Sequence, residues 1–264
     1  MFNQIKRRIL DQYRGAIYYT AGLLFYLWLI ISLFPSVKSI NFNAFINQMP
    51  DYFKGFYTSG GLKDISSIEG FLSGEILSFF LIFIVAFFIA GAASSTIAGA
   101  IEKRTMDFQL SQPLSRTKLF LSDFFTTLVF TAAISAVTLL AIKPICSAYG
   151  ISISGVGLTK LWLMAYIMLL SIYGLALLFS SLFRSKTSVV SMTLGLTFAF
   201  YMLTTLASAI DKLKDFKPFS LYHYYKPYEL MTGSPIEFKD VAILLSVFLL
   251  GSLAGLLIFN KKDI

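Results

Sequence analysis

Long charge-free hydrophobic stretches dominate the pattern of this chain. A helix that crosses a bilayer needs about 20 mostly apolar residues, and six stretches meet that length. Lipid offers the backbone no hydrogen-bond partners, so runs of this length predict transmembrane helices. We number them spans 1 to 6: Gly15–Phe34, Ile76–Ile101, Phe124–Ile142, Leu161–Phe183, Thr187–Ile210 and Val241–Asn260.

The composition excludes an ordinary soluble protein. Of the 264 residues, 56% are hydrophobic and only 14% are charged, whereas soluble domains carry about 25% charged residues. One soluble core of this size could not bury so much apolar surface. We therefore predict an all-α polytopic membrane protein in which residues 1–264 form a single transmembrane domain with six spans.

The basic residues predict the orientation. With six spans, residues 1–14, 102–123, 184–186 and 261–264 share one side, called side one, which carries 12 Lys and Arg in 43 residues. Side two (residues 35–75, 143–160 and 211–240) carries 10 in 89. The positive-inside rule then places side one, and both termini, in the cytoplasm of a plasma-membrane protein. The net charge of +8 is explained by topology and lipid contact, so no nucleic-acid partner is expected.

The first 14 residues have their own pattern. Phe2, Ile5, Ile9 and Tyr13 recur at helical spacing, and basic residues occupy the other face. Such a helix lies flat at the membrane interface. We predict that residues 1–14 form an amphipathic interfacial helix before span 1, although a plain basic topology anchor would give the same pattern.

Few residues could carry catalysis or bind a metal. Cys146 and His223 are each the only residue of their type, so a Cys/His zinc cluster cannot form and no metal is expected. The sequence has no Gly-Lys pair and therefore no phosphate-binding P-loop. His223 lies in an aromatic stretch on side two, which fits either a belt at the water interface or a ligand site.

Charged residues stop at the edges of the predicted spans, where Glu75 and Asp123 lie. Proton-driven transporters keep ionisable groups within the membrane. The pattern thus argues against proton or sodium coupling by this chain alone and indicates that something else supplies the energy.

Small and hydroxyl residues recur within three spans. Small residues four apart let helices approach closely, and this pattern occurs at Gly91, Ser95 and Gly99 in span 2 and at Gly251 and Gly255 in span 6. One face of span 5 carries hydroxyl groups that could line a transport path or a contact with a second chain, or could bond to the helix's own carbonyl groups and pack. These residues are Thr193, Thr197, Tyr201, Thr204 and Ser208.

The loop between spans 2 and 3 carries the most specific motif, AIEKRTMDFQLSQPLSRTKLF from Ala100 to Phe120. The pattern predicts a short amphipathic helix over Glu102–Ser111, which Pro113 ends, and Ser115 is placed to cap the next helix. Composition alone would also fit a solvated loop.

This loop resembles that of the ABC-2-type transporter permeases. In that family, span 2 runs into an acidic residue, a Gly-Thr pair, a leucine-rich turn and a small-x-Pro-x-Ser-Arg stretch. Arg104 replaces the usual Gly, and Gln109 stands where Leu is common. The ending FNKKDI is similar to the family's F-x-x-[RK]-D ending. The matching loop residues are Glu102, Thr105, Leu110, Ser111, Pro113, Ser115 and Arg116.

The resemblance implies the membrane subunit of an ABC exporter that works by alternating access and is not itself an enzyme. Two permease chains, identical or different, would form the pathway, and two cytoplasmic ATPase subunits would bind ATP and magnesium. The loop helix would couple to the ATPase. Glu102, Arg104 and Arg116 would make polar contacts with it, and Thr105, Ser111, Pro113 and Ser115 would shape the segment. An ATP-independent channel or secondary transporter is the alternative, and the sequence does not identify the substrate.

Overall fold

The structure is a computed structural model that describes residues 2–38, 67–104 and 115–262, and within these ranges the regular elements are all helical. Two 3₁₀ helices, Asp211–Phe219 and Leu221–Tyr224, and a π-helical turn at Ser73–Leu77 accompany the α-helices. The α-helices are α1 (Phe2–Lys38), α2 (Ile68–Leu72), α3 (Phe80–Thr96), α4 (Ala98–Glu102), α5 (Arg116–Leu140), α6 (Ile142–Ala148), α7 (Gly155–Leu182), α8 (Lys186–Ala209), α9 (Pro227–Met231) and α10 (Phe238–Lys261).

The all-α fold and its six predicted spans are confirmed. Six segments of the described chain are long and apolar enough to cross a membrane, and each overlaps one predicted span. The boundaries shift by several residues, because charged residues near a helix end can reach water or a partner. The segments are Arg8–Ser36, Ile68–Thr96, Arg116–Ala148, Gly155–Leu182, Lys186–Ala209 and Phe238–Lys261.

The N-terminal segment differs from the prediction of a separate interfacial helix over residues 1–14. Helix α1 runs without a break from Phe2 to Lys38, so its 37 residues are far longer than a bilayer core requires. The sequence at residues 14 and 15 contains no proline to end a helix. The first turns therefore continue the axis of span 1 and pack on a neighbouring span.

Span 2 is interrupted at both ends. Its side-two end contains the π-helical turn Ser73–Leu77, and its side-one end breaks at Ile97, between α3 and α4. The Ser180 hydroxyl of α7 donates to the Ala93 carbonyl (2.6 Å) and accepts from the Ala98 backbone N–H (3.4 Å). The hydroxyl thus satisfies backbone groups near the break, which separates α4 from the rest of span 2.

Helix α7 lies at the centre of the bundle. Its apolar membrane-spanning stretch is 72% buried within the chain, against 28% for the corresponding stretches of α1, α8 and α10. It approaches α10 most closely at Gly174, where an added Cβ would lie 2.6 Å from the Phe248 carbonyl oxygen. The Ser171 hydroxyl donates to the Leu244 carbonyl (2.8 Å) in the same interface. Small residues therefore set the distance between these two helices.

Side two is closed by the two 3₁₀ helices and α9. Tyr222 and Tyr225 are buried there among the span ends, and Lys226 bridges Glu237 (3.1 Å) and Asp240 (3.0 Å). Burial lowers the pKa of Lys226, but its hydrogen bonds to the two carboxylates outweigh burial and raise that pKa overall. The aromatic stretch is thus packed against the bundle, and its buried tyrosines are less exposed than the residues of an aromatic belt at the water interface would be.

Candidate functional site

The two ends of the loop between spans 2 and 3 each contact the end of another helix on side one. Glu102, the last residue of α4, accepts a hydrogen bond from the backbone N–H of Lys186 (2.7 Å). Lys186 is the first residue of α8, so the carboxylate lies at a helix N-terminus, where negative charge is favourable. Glu102 is solvent-exposed and joins the side-one ends of spans 2 and 5.

Arg104 ends the helical segment in a left-handed conformation, with φ of +52°. Its backbone N–H donates to the Ile101 carbonyl (3.0 Å), which closes the last turn of α4. A non-glycine residue is disfavoured in this conformation by about 1–2 kcal/mol. Glycine adopts this conformation without that cost, which is a physical reason for the glycine that the resemblance implies at this position.

The other end of the loop is anchored to α10. Ser115 is the N-cap of α5, and its hydroxyl accepts from the Lys118 backbone N–H (3.3 Å). Next to it, Arg116 Nη1 donates to the carbonyl oxygens of Phe259 (3.2 Å) and Lys262 (2.6 Å). Positive charge at the C-terminus of a helix is favourable, so Arg116 joins the start of span 3 to the end of span 6.

Lys262 completes the cluster, a role that the sequence analysis did not assign. Its ammonium group donates to the carbonyls of Ser181 (2.8 Å) and Phe183 (3.0 Å) at the end of α7. Burial, together with the nearby positive charge of Arg184, lowers the pKa of Lys262. We call Glu102, Lys186, Arg116 and Lys262 the basal cluster, because their contacts tie five helix ends together on side one.

A buried ion pair lies within the bundle near the basal cluster. Arg8 Nε of α1 is 2.8 Å from Asp123 Oδ1 of α5, and the Asp123 side chain is only 1% exposed. The sequence places Asp123 at the edge of span 3, and the structure places it two turns after the start of α5, where its side chain is buried against α1. Its charge is tolerated because a basic partner on another helix compensates for it. Gln12 and Thr127, with side chains 3.4 Å apart, join the same two helices.

Three of the predicted coupling residues, Thr105, Ser111 and Pro113, lie outside the described residues, as does most of the predicted coupling helix. Their assignment stays a prediction. The structure attaches one end of this loop to α8 through Glu102 and the other end to α10 through Arg116, and Arg104 and Ser115 are exposed.

The small residues of spans 2 and 6 have different surroundings. Added Cβ atoms at Gly251 and Gly255 would lie 2.7 Å and 3.1 Å from the backbone of α7, so both glycines are helix-contact positions. By contrast, an added Cβ at Gly91 would meet nothing within 4 Å. Ser95 Oγ donates to the Gly91 carbonyl (2.8 Å), and the nearest atom to an added Cβ at Gly99 is the carbonyl oxygen of Ser94 (3.0 Å).

The hydroxyl face of span 5 is directed into the chain's own bundle. Thr193, Thr197 and Thr204 are buried. The first two donate to the carbonyls four residues earlier, as Ser208 does, each at 2.8 Å. Thr204 instead donates to Ser220 Oγ (2.7 Å), and the Tyr201 ring packs against Phe79 and Tyr222 of neighbouring elements. This geometry is typical of packing hydroxyl groups, and the role of the face as a transport path or a contact with a second chain stays a prediction.

The family model for ABC-2 family transporter proteins matches residues 26–264, which is all but the first 25 residues of the chain. The chain belongs to the ABC-2 transporter family. No curated protein matches the sequence significantly. As an ABC-2 family membrane protein, the chain is a multi-pass permease of an ABC transporter, and this family works in association with an ABC ATPase.

Proposed function

We propose that this ABC-2 permease forms the transmembrane pathway of an exporter driven by two separate ATPase subunits, which bind ATP and magnesium. Side one faces the cytoplasm, and the loop between α4 and α5 is the docking segment. A second permease chain completes the pathway. The match to the ABC-2 family over residues 26–264 carries this proposal.

The basal cluster supports a coupling role for this loop. A displacement of the loop would pull on α4 at one end and on α5 at the other. Through Glu102 the first end is bonded to α8 (2.7 Å), and through Arg116 the second end is bonded to α10 (2.6 Å to Lys262). Because charge-assisted bonds are stronger than neutral ones, closure of an ATPase dimer against the loop would move these helix ends together.

The break at Ile97 supports the same mechanism. Helix α4 has only five residues and is separated from α3, so it can change its angle without bending the whole span. Interrupted helices are common at positions where helices change direction. In alternating access, α4 would tilt with the loop, and spans 2 and 5 would shift through the Glu102 contact.

The Arg8–Asp123 pair does not favour the secondary-transporter alternative. A carboxylate that carries protons must be able to gain and lose them during transport. Arg8 Nε lies 2.8 Å from Asp123 Oδ1 and joins α1 to α5, a structural role that requires no proton transfer.

Capture of the ATPase tests the proposal. The chain is purified from its native membrane in mild detergent, and ATP hydrolysis is measured on the proteins that accompany it. We expect a stoichiometric ATPase. Arg104→Glu, at an exposed residue beside the loop, should reduce its recovery. Lys239→Glu is the matched control, because Lys239 is equally exposed but lies on side two. A chain that purifies without any ATPase under several extraction conditions would contradict the proposal.

Labelling with a membrane-impermeant maleimide tests the orientation separately. Cys146 is buried, and its replacement by serine gives a background without cysteine. In intact cells, Ser234→Cys on side two should be labelled, whereas Lys261→Cys on side one should react only after permeabilisation. The reverse pattern would place side one outside.

A further inference from the structure

A crevice in the bundle between α1 and α3 remains unexplained by the coupling mechanism. Its cavity volume is about 230 Å³. Gly91 lies on its wall, and an added Cβ there would meet nothing within 4 Å. The lining residues are Arg8, Asp11, Gln12, Gly15, Tyr19, Phe87, Phe88, Gly91, Ala92 and Ser95.

The crevice changes from polar to apolar along the helix axes. Arg8, Asp11 and Gln12 line its end near side one, whereas Phe87 and Phe88 line it deeper in the bundle. Helices α1 and α3 are antiparallel, so the polar residues of α1 and the apolar residues of α3 lie at opposite ends of the same crevice. A leaflet lipid has the same order, with a polar headgroup at the surface and acyl chains inward.

The charges at the polar end suit a zwitterionic headgroup. Arg8 uses Nε for Asp123 (2.8 Å), and a guanidinium has further N–H donors on its two terminal nitrogens. The Arg8 side chain is 17% exposed, so these donors can reach a phosphate, which arginine binds in a bidentate manner. Asp11 lies three residues later on the same helix face and is exposed, where its carboxylate can accept from an ammonium group.

The apolar part has room for an acyl chain. Gly15, Gly91 and Ala92 have little or no side chain, and Phe87 is 41% exposed. This empty strip between the two helices is bordered by aromatic rings. Binding sites of this kind combine an apolar wall with a few polar groups that fix the orientation of the ligand.

We propose that this crevice binds a phospholipid of the side-one leaflet whose headgroup carries a phosphate and a primary ammonium group. The phosphate contacts Arg8, the ammonium contacts Asp11, and one acyl chain lies along Gly91 and Phe88. The bound lipid fills the space between α1 and α3 and holds the first turns of α1 against the bundle. This site does not depend on the ATPase partner.

Lipid binding to the purified chain tests the proposal. Native mass spectrometry and thermal shift are measured with phosphatidylethanolamine and with phosphatidylcholine of the same acyl chains. The choline headgroup has no N–H, so we expect the ethanolamine lipid to bind about tenfold more tightly, as one charge-assisted hydrogen bond would give. Asp11→Asn should abolish this preference, since it leaves the Arg8–Asp123 pair in place.

A steric variant tests the acyl-chain position. Gly91→Leu fills the crevice without a clash of its Cβ and should abolish binding of both lipids. Gly22→Leu is the matched control, because Gly22 lies on exposed α1 surface and its Cβ also meets nothing within 4 Å. This control should bind lipid as the unmodified chain does.

Three results would overturn the proposal. Equal binding of the two lipids to the unmodified chain would remove the headgroup assignment. Unchanged binding by Gly91→Leu would place the lipid elsewhere. A dimer of the chain that binds neither lipid would mean that protein, and not lipid, covers the crevice. Failure to recover an ATPase in the capture experiment would change none of these three lipid-binding results, so the lipid proposal and the proposed function are tested separately.

Discussion

The Arg8–Asp123 pair gives the strongest stability prediction, because one partner is almost fully buried. Arg8→Met removes the charge and keeps an apolar stem of similar length. It leaves the Asp123 carboxylate, 1% exposed, without its basic partner. Breaking a buried ion pair in this way costs about 3–5 kcal/mol. We expect a value near the lower bound, since Arg8 itself is 17% exposed and water can partly replace it.

The double variant separates the ion pair from the packing. In Arg8→Met with Asp123→Leu, no charge is left buried, and replacement of a buried pair by apolar residues is often neutral or stabilising. We therefore expect the double variant to regain most of the lost stability. The double-mutant cycle should give a coupling energy of at least about 2 kcal/mol, within the range for contacting residues.

The assay is thermal unfolding of the detergent-purified chain, followed by tryptophan fluorescence. For a chain of this size, about 3 kcal/mol corresponds to a fall in Tm of roughly 6–12 °C. Arg14→Met is the control on the same helix. Arg14 is exposed and its side chain bonds to neighbouring Tyr13, so its loss should change stability by no more than about 0.5 kcal/mol. An Arg8→Met variant as stable as Arg14→Met, or a cycle with no coupling, would refute the reasoning.

Three further predictions concern the backbone and pH. Gly174→Ala places a Cβ 2.6 Å from the Phe248 carbonyl oxygen and should lower the free energy of unfolding by about 1–3 kcal/mol, measured by thermal unfolding. The control Gly195→Ala has open space around its Cβ and should not destabilise the chain. Equal effects of the two variants would contradict the close contact between α7 and α10. Arg104→Gly should stabilise the chain by about 1 kcal/mol by removing left-handed strain, and destabilisation would argue against this conformation. Burial, with Lys217 and Lys226, lowers the pKa of His223, so the folded state binds fewer protons than the unfolded one and stability should fall as pH drops below about 6.5. His223→Gln should weaken this dependence, and an unchanged profile would exclude His223 as its source.

The number of spans could be predicted from the sequence because the bilayer imposes it. A helix in lipid needs about 20 apolar residues whatever its neighbours are, so the hydrophobic pattern alone identifies it. The boundaries depend on neighbours and were less accurate. Ser115 caps α5 as the sequence predicts, and the helix starts at Arg116. The charge-free stretch that defines span 3 starts only at Phe124, because it leaves out Arg116, which binds the end of α10, and Asp123, which binds Arg8.

The contacts of the basal cluster could not be predicted from the sequence, because they also depend on neighbouring helices. Glu102, Arg116 and Lys262 bond to backbone groups of distant helices. Every residue has a backbone carbonyl, and nearly every residue has an N–H, so no complementary side chain marks these partners. The motif drew attention to Glu102 and Arg116 as charged residues, but only the fold shows what they bind within the chain. Gly174 was missed because its partners lie on another helix, outside any G-x-x-x-G spacing.

These internal contacts change how the coupling loop must be tested. Charge reversal at Glu102 would place a positive group at the N-terminus of α8, which is unfavourable even without any ATPase. Loss of transport in such a variant would therefore not distinguish a docking contact from a damaged permease. Glu102→Gln keeps a hydrogen-bond acceptor for the Lys186 N–H and removes only the charge. If the carboxylate contacts the ATPase, Glu102→Gln should lower recovery of the ATPase while the unfolding temperature changes little. If Glu102 serves only to join α4 to α8, recovery should stay unchanged, and the docking contacts must come from Arg104 and the loop that follows it.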